Sequence, residues 1–137
     1  MGTHAVIAVK TETGIEAVST NFDGGISHTG VILAGFYRTR ERADALIKLG
    51  NLCQLNEKIA PDGGQKHSWE NPAEGVTIAY HRDRGEPHRN LGTFKRESEL
   101  TGLAEYAYLF DGERWLVWGL GEKSEWIELE VTFGEKE

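Results

Sequence analysis

Residues 105–120 read EYAYLFDGERWLVWGL and carry the strongest structural signal in the chain. Two runs rich in aromatic and apolar residues flank Asp111 and Gly112, a dipeptide that accepts the positive φ angles of a tight hairpin turn. Both faces of the two runs are apolar, which is typical of strands at the centre of a sheet that is covered on both sides. The stretch therefore predicts a central β-hairpin, with helices over one face and loops or another subunit over the other.

Further strands are predicted before and after this hairpin. Residues 5–9 and 15–22 are two extended apolar stretches around a turn, and residues 76–80 form a short third strand. Residues 126–133 alternate apolar and polar side chains, as a strand with one solvated face does. Together with the hairpin, these stretches predict about five to six strands, most of them in antiparallel pairs.

Two to three helices are predicted between the strands. Ser27 can cap a first helix, and Thr39 is a good N-cap for a second helix that ends before Gly50, where a C-terminal cap belongs. Residues 51–60 suit a short helix or an irregular turn, and residues 96–104 suit a further short helix. We therefore expect an α+β fold, with a mainly antiparallel sheet of about five to six strands and two to three helices packed on one face.

The composition is that of one globular domain over residues 1–137. The hydrophobic and charged fractions, 39% and 27%, are close to globular averages, so a packed core is expected, and no linker or repeat divides the chain. Cys53 is the only cysteine, which excludes an internal disulfide and favours a reducing compartment. No apolar run approaches the length that crosses a bilayer, and residues 1–6 lack a signal-peptide pattern. We expect a cytoplasmic protein that contacts no membrane.

The densest cluster of charge is YHRDRGEPHR, residues 80–89, directly after the third predicted strand. The chain has a net charge of -7, yet residues 81–96 hold five basic and two acidic residues. Guanidinium groups donate paired hydrogen bonds to phosphate oxygens, and a glycine lets backbone amides approach. The ligand-binding residues predicted here are Tyr80, His81, Arg82, Asp83, Arg84, Glu86 and Arg89. The alternative interpretation is that the arginines only pair with neighbouring carboxylates.

Three more residues are candidates for the same or a neighbouring site. Asp23 and His28 flank the predicted start of a helix, which would also favour an anion. Asp23 could alternatively do no more than shape its turn. Trp69 is the only bulky apolar side chain in residues 61–75 and could stack on a base, although it could equally anchor an ordinary surface loop.

The charge distribution limits the class of ligand. The basic residues form two islands, at residues 38–42 and 82–89, and the sequence leaves open whether the islands meet. An acidic chain of this kind disfavours nucleic acid, which requires a continuous positive face, and favours a small anion or an acidic patch on a partner. No cofactor, metal site or catalytic residue is predicted, because His81, His88 and Asp83 lack the spacing of metal ligands and nothing identifies a nucleophile.

Six segments spread over most of the chain form a recognisable set: HAVIAV (4–9), FDGG (22–25), GVIL (30–33) with Tyr37, LIKLGNL (46–52), YHRDRGE (80–86) and EYAYLF (105–110). This set resembles a group of short, mostly uncharacterised proteins encoded by phages and prophages. The resemblance implies no established activity. Accessory phage proteins of this size commonly bind a host enzyme, a defence complex or a nucleotide signal, so the resemblance implies a binding function.

Three hypotheses of different classes follow. The first, which we favour, is a non-catalytic, homo-oligomeric binder that sequesters a small nucleotide-like anion, such as a cyclic nucleotide, to counter a host defence. The second is an inhibitor that contacts a host or defence protein. The third is a small nucleotide hydrolase, for which His81 and Asp83 would form the acid–base pair.

Overall fold

The computed structural model describes residues 3–119 and 125–129 of the chain. Its strands are β1 (Ala5–Lys10), β2 (Ile15–Phe22), β3 (Leu52–Gln54), β4 (Ile78–Ala79), β5 (Gly92–Phe94), β6 (Tyr106–Phe110), β7 (Trp115–Gly119) and β8 (Ile127–Glu128). Its helices are α1 (Val31–Phe36), α2 (Arg40–Ile47) and α3 (Tyr80–Arg84), with a π-helical turn at Ile26–Gly30 and a 3-10 turn at Glu97–Glu99. None of the helices in this part of the chain has the length and apolar character that a bilayer span requires.

The strands form one mixed sheet in the order β4-β3-β2-β1-β6-β7-β8, and β5 also pairs with β2. The pairs β1–β6 and β2–β3 are parallel, whereas the other pairs are antiparallel. The predicted α+β class and number of helices are confirmed. The prediction of five to six strands is wrong, since the described residues alone contain eight, and the predicted antiparallel arrangement holds for only part of the sheet.

The missed strands have a physical explanation. The two strands that were not predicted, β3 and β5, are each three residues long, which is too short to show an alternating pattern in the sequence. The parallel pairing of β1 with β6 places Ala5 beside Tyr106. Such a long-range register is set by the packing of whole faces and leaves no local signal of strand direction.

Apolar clusters cover both faces of the sheet, as predicted for the central hairpin. The larger cluster joins strands to α1 and α2 and includes Ile7, Leu33, Leu46, Tyr108, Phe110 and Val117. The smaller cluster lies on the opposite face and includes Val6, Ala8, Ala17, Leu100 and Leu109, with Phe94 and Trp118 packed against it. Successive residues of β1 therefore face different clusters, which is the period of a strand buried on both sides.

The helix termini follow the sequence only in part. Thr39 caps α2 as predicted, because its side chain accepts a hydrogen bond from the Arg42 amide. Gly50 follows the helix with a left-handed φ of 83°. The predicted cap at Ser27 is wrong, since Ser27 lies inside the π-helical turn and Gly25 stands at its N-terminal cap.

Two predicted segments need correction, and one lies partly outside the described residues. Residues 51–60 contain β3 rather than a helix, and the strand predicted at 76–80 is limited to β4. β3 pairs with β2, and β4 pairs with β3 at the edge of the sheet, so that strand pairing overrides weak local preferences in both segments. Of the strand predicted at 126–133, only residues 126–129 are described, and they contain β8.

Candidate functional site

The basic segment after β4 is a helical turn rather than a loop. α3 ends at Gly85, whose φ of 80° lies in the left-handed region that glycine adopts without strain. The amides of Gly85 and Glu86 donate to the carbonyls of His81 and Tyr80 at 3.1 Å and 3.3 Å. The chain therefore reverses sharply, which brings the residues that follow Gly85 back beside the start of α3.

Four hydrogen bonds hold the guanidinium of Arg82 within the chain. Nε and Nη2 donate to the Asp83 carboxylate at 2.9 Å and 3.1 Å. Nη1 donates to the carbonyl of Ile59 at 2.5 Å, and Nη2 donates to that of Thr77 at 2.6 Å. These contacts tie α3 to the segments on either side of the loop 61–75. Arg82 therefore has no free guanidinium group to offer to an anion. For this residue, the contacts agree with the alternative interpretation, in which the arginines of the basic segment pair with neighbouring carboxylates.

Asp83 and His67 form a buried pair that the sequence did not indicate. Their side chains are 4% and 3% exposed, and His67 Nε2 lies 3.3 Å from Asp83 Oδ2, off the axis of a hydrogen bond. His67 Nδ1 accepts from the Ala73 amide at 2.9 Å, which places the proton of the neutral ring on Nε2. Burial opposes ionisation of Asp83, but Arg82, the Ala79 amide and His67 outweigh it and lower its pKa.

Asp83 is not available as a catalytic group, because its carboxylate oxygens are already occupied. Its oxygens face Arg82, the Ala79 amide and His67, whereas Nδ1 of His81 lies 2.6 Å from the carbonyl of Glu86. The acid–base pairing of His81 with Asp83 that a hydrolase would need is therefore not formed.

Trp69, Tyr80 and Arg84 lie together at the surface and are named here the Trp69 cluster. The ring centroids of Trp69 and Tyr80 are 5.5 Å apart, and Cζ of Arg84 lies 4.9 Å from the centre of the Trp69 ring. Arg84 is 53% exposed and also pairs with Glu86 at 3.2 Å. A guanidinium at this distance from an indole has the geometry of a cation–π contact. The fold thus brings Trp69 from a distant loop onto α3.

The hydroxyl of Tyr80 faces polar groups of the sheet rather than solvent. It accepts a hydrogen bond from Asn21 Nδ2 at 2.5 Å and contacts the thiol of Cys53. Burial raises the pKa of both Tyr80 and Cys53. Both groups are therefore protonated at neutral pH, and neither is activated as a nucleophile.

A small hollow lies beside the Trp69 cluster and is named here the Arg89 hollow. It has a volume of about 50 Å³ and is lined by Asn51, Tyr80, His81, Glu86, Pro87 and Arg89. The backbone of Asn51 builds its floor, because its amide donates to the carbonyl of Arg89 at 2.8 Å and its carbonyl accepts from Tyr80 at 3.3 Å. The guanidinium of Arg89 has no partner among the residues that the structure describes. Asn51 was missed by sequence reasoning, and no local pattern marks it.

The two other candidate residues lie elsewhere. Asp23 has a left-handed φ of 57° at the end of β2, and its carboxylate accepts from the side chain of Gln54. Nε2 of His28 lies 2.8 Å from the carbonyl of Leu55. Among the described residues, neither side chain forms a hydrogen bond or ion pair with α3, with Trp69 or with the residues that line the Arg89 hollow, so these contacts do not join Asp23 and His28 to that site.

The two basic islands come close to each other at residues 57–59, where Arg42 and Arg82 are both bound to backbone carbonyls. Arg42 donates to the carbonyl of Glu57 at 3.3 Å and its guanidinium lies 4.9 Å from the centre of the Tyr37 ring. Arg82 donates to the carbonyl of Ile59, two residues further along the same segment. Because both guanidinium groups bind backbone carbonyls there, this junction forms no shared anion cleft. Arg84 and Arg89 are left as the exposed cations of the second island.

No family model, curated protein or solved structure matches the chain. In residues 3–119 and 125–129, no group of three or more His, Cys, Asp or Glu side chains is placed to hold a metal ion. The chemistry of the Trp69 cluster and the Arg89 hollow therefore carries the functional argument.

Proposed function

We propose that this protein is a non-catalytic binder of a small anionic, nucleotide-like ligand, and that the ligand lies across the Trp69 cluster and the Arg89 hollow. The observation that carries the proposal is the junction of the two features. Tyr80 packs against Trp69 and also lines the hollow, while Glu86 lines the hollow and pairs with Arg84. An aromatic face, an exposed guanidinium and a polar hollow are thus contiguous.

Each feature corresponds to one part of a nucleotide. The indole of Trp69 supplies a π-face of the kind on which bases stack in sequence-independent sites. Arg84 and Arg89 supply guanidinium groups, which bind phosphate oxygens in paired hydrogen bonds. The hollow is far smaller than the pockets of about 300 Å³ or more that enclose whole ligands. A base would therefore lie on the surface while a charged group enters the hollow.

Binding without turnover is supported by the state of the reactive side chains. The carboxylate of Asp83 is committed to Arg82 and His67, and the hydroxyl and thiol of Tyr80 and Cys53 keep their protons. None of these groups is a free general base or an activated nucleophile. The proposal is therefore sequestration of an intact ligand.

The biological setting belongs to the same proposal and is supported by the resemblance to phage and prophage proteins. On that basis the ligand is a nucleotide signal of a bacterial defence system, such as a cyclic nucleotide. The protein would act as a homo-oligomer in the cytoplasm of the infected cell.

The test is calorimetric titration of the purified chain with a panel of linear and cyclic nucleotides, followed by mass spectrometry of the ligand released by heat. We expect stoichiometric binding and recovery of the intact ligand. Arg84→Ala combined with Arg89→Ala should weaken binding at least about tenfold, since each removes a charge-assisted hydrogen bond. Lys95→Ala combined with Arg96→Ala, two exposed basic residues outside the site, removes the same two charges and is the matched control.

Three results would contradict the proposal in distinguishable ways. Conversion of the ligand would show a hydrolase. Absence of binding to every nucleotide, with capture of a defined host protein, would favour the protein-interaction hypothesis. Equal loss of affinity in the Lys95→Ala, Arg96→Ala control and in the Arg84→Ala, Arg89→Ala variant would show that the effect is one of overall charge rather than of this site.

A further inference from the structure

The Arg89 hollow presents hydrogen-bond donors of a kind that suits one small oxyanion. Oδ1 of Asn51 accepts from the Ser19 amide at 3.1 Å, which leaves its Nδ2 group without a partner among the described residues. The guanidinium of Arg89 is similarly uncommitted within that part of the chain. The volume of about 50 Å³ has room for a few water molecules and none for a nucleobase.

His81 is the group in this hollow whose hydrogen-bonding character changes with pH. Its Nδ1 lies 2.6 Å from the carbonyl of Glu86, which can only accept, so Nδ1 carries a proton in both charge states. Nε2 therefore holds the lone pair of the neutral ring. After protonation the same atom becomes a donor with a positive charge, and its interaction with an anion changes from repulsion to a charge-assisted hydrogen bond.

The charged and titratable groups around His81 come from three directions. From α3 itself come Tyr80, Arg82, Asp83 and Arg84, of which Arg82 and Asp83 bind each other and Arg84 pairs with Glu86. From the returning segment, Glu86 and Arg89 line the same hollow, and the ring of His88 lies 5.2 Å from that of His81 in an edge contact. From the end of α2, only a neutral group reaches this pair, because His88 Nε2 lies 2.8 Å from the carbonyl of Lys48.

Most of these groups already have an ion-pair or hydrogen-bond partner. Glu86 is paired with Arg84 at 3.2 Å, and His88 Nε2 is bound to the backbone. Arg89 is the one permanent cation of the hollow without a carboxylate partner among the described residues. The carboxylate that lines the hollow, Glu86, is already paired with Arg84, so an incoming anion would compensate the charges of Arg89 and protonated His81.

We infer that the Arg89 hollow is an oxyanion subsite, gated by protonation of His81, that receives a single phosphate-type group. The identification of that group as part of a nucleotide rests on the proposed function. The subsite binds weakly when His81 is neutral and tightly when it is charged. Because the hollow holds one such group, a ligand that offers a single phosphate group, whether a monoester or a cyclic diester, is preferred to a polyphosphate.

The test uses inorganic sulfate, because sulfate keeps the same charge between pH 5.5 and 8 while phosphate does not. Binding to the full chain is followed by the NMR signals of residues 81–89 at both pH values. We expect wild-type affinity to be at least about tenfold higher at pH 5.5, which corresponds to about 1.4 kcal/mol. His81→Gln should remove this pH dependence, and Arg89→Ala should weaken binding at both pH values. His4→Gln, an exposed histidine outside the site, should behave as the wild type.

A second measurement covers the case in which His81→Gln fails to fold. If the anion and the proton bind together, sulfate must keep the His81 ring of the wild-type chain protonated to higher pH. The imidazole NMR signals of His81 measure this directly. Equal sulfate affinity at both pH values, or unchanged pH dependence in a folded His81→Gln variant, would overturn the inference. Nucleotide binding that is independent of pH would overturn the gating and leave the proposed function standing. Sulfate binding without any nucleotide binding would overturn the proposed function and leave the oxyanion subsite standing.

Discussion

The carboxylate of Asp83 binds the guanidinium of Arg82, the residue directly before it, through two contacts of 2.9 Å and 3.1 Å. Adjacent residues of a helix do not normally face each other. Here the side chain of Arg82 bends back over the single turn of α3, and it is held by the carbonyls of Ile59 and Thr77 on its other side. The arginine at the centre of the basic segment is thus part of the scaffold.

Arg82 and Arg84 should therefore respond differently to the same substitution. Arg82→Ala removes four hydrogen bonds and leaves the buried Asp83 carboxylate without its main partner, so we expect a loss of about 2–4 kcal/mol in the free energy of unfolding. Arg84→Ala removes only an exposed ion pair and a surface stacking contact, and its effect should stay within about 1 kcal/mol. Urea denaturation at pH 7 measures both. Equal losses would show that Arg82 is not structural.

Asp83→Asn should reduce stability at neutral pH and reduce its dependence on acid. The folded pKa of Asp83 lies below its unfolded value of about 3.9, so the ionised carboxylate stabilises the fold above that pH. This contribution declines as the pH falls through the folded pKa. We expect Asp83→Asn to lose about 2 kcal/mol at pH 7 and to approach the wild type as the pH falls through the lowered folded pKa.

The control for Asp83→Asn is Asp62→Asn. The side chain of Asp62 is 72% exposed and pairs with Lys58 at the surface. Its substitution should change the free energy of unfolding by less than about 0.5 kcal/mol across the same pH range. A constant difference between wild type and Asp83→Asn from pH 7 to pH 3 would refute the assigned role of the charge.

Gly50→Ala should be strongly destabilising and should also deform the Arg89 hollow. Gly50 has a φ of 83°, and a Cβ atom there would lie 2.7 Å from the carbonyl oxygen of Arg89. Gly64 has a φ of 84° with nothing within 4 Å, so Gly64→Ala isolates the backbone strain from the clash. We expect a loss of about 1 kcal/mol for Gly64→Ala and of at least about 2 kcal/mol for Gly50→Ala in thermal or urea unfolding. Equal losses would show that Arg89 does not pack against Gly50.

Tyr108→Phe should cost about 1–2 kcal/mol in the free energy of unfolding. The hydroxyl of Tyr108 donates to the carbonyl of Gly24 at 2.7 Å in the core, and its removal leaves that carbonyl buried without a partner. The hydroxyl of Tyr106 has no hydrogen-bond partner among the described residues, although its ring stacks on that of Tyr108. Tyr106→Phe should therefore be nearly neutral, and a similar loss in both variants would contradict the structure.

Asp111→Ala should weaken the central hairpin at its turn. Oδ1 of Asp111 accepts from the amides of Glu113 and Arg114 at 2.9 Å and 3.0 Å. Although burial opposes it, these amides and the Arg114 guanidinium lower the pKa of Asp111. We expect a loss of about 1 kcal/mol for Asp111→Ala, with most of it recovered in Asp111→Asn, because the amide oxygen can still accept. Chemical denaturation of both variants distinguishes this from a charge effect, which Asp111→Asn would not rescue.

The parts of the fold that could be predicted are those encoded by neighbouring residues. The hairpin of β6 and β7 and the cap of α2 at Thr39 depend on alternation, turn chemistry and one side-chain hydrogen bond within a few positions. The three-residue strands β3 and β5 could not be predicted in this way, and neither could the parallel pairing of β1 with β6. Their formation depends on the sheet edges that other segments present to them.

The sequence predicted which residues group together at the candidate site, but not the contacts that each of them makes. The residues of α3 and Trp69 do lie together, but the roles of Arg82 and Asp83 follow from Ile59, His67 and the Thr77 carbonyl, which are remote in sequence. The side chains of Asp23 and His28 bind Gln54 and the Leu55 carbonyl instead of residues of this region. Whether these residues bind a ligand stays a prediction.

From the residues alone one can derive the α+β class, the central hairpin and a concentration of positive charge after one strand, because hydrophobic period, caps and charge are local properties of the chain. The folded arrangement alone shows that Arg82 is consumed by the scaffold, that Arg84 lies on Trp69, and that Asn51 and Arg89 share a hollow. The availability of a charged group depends on the neighbours that long-range packing brings to it. Those neighbours come from segments that are distant along the chain, and no local sequence pattern indicates which distant segments will be in contact.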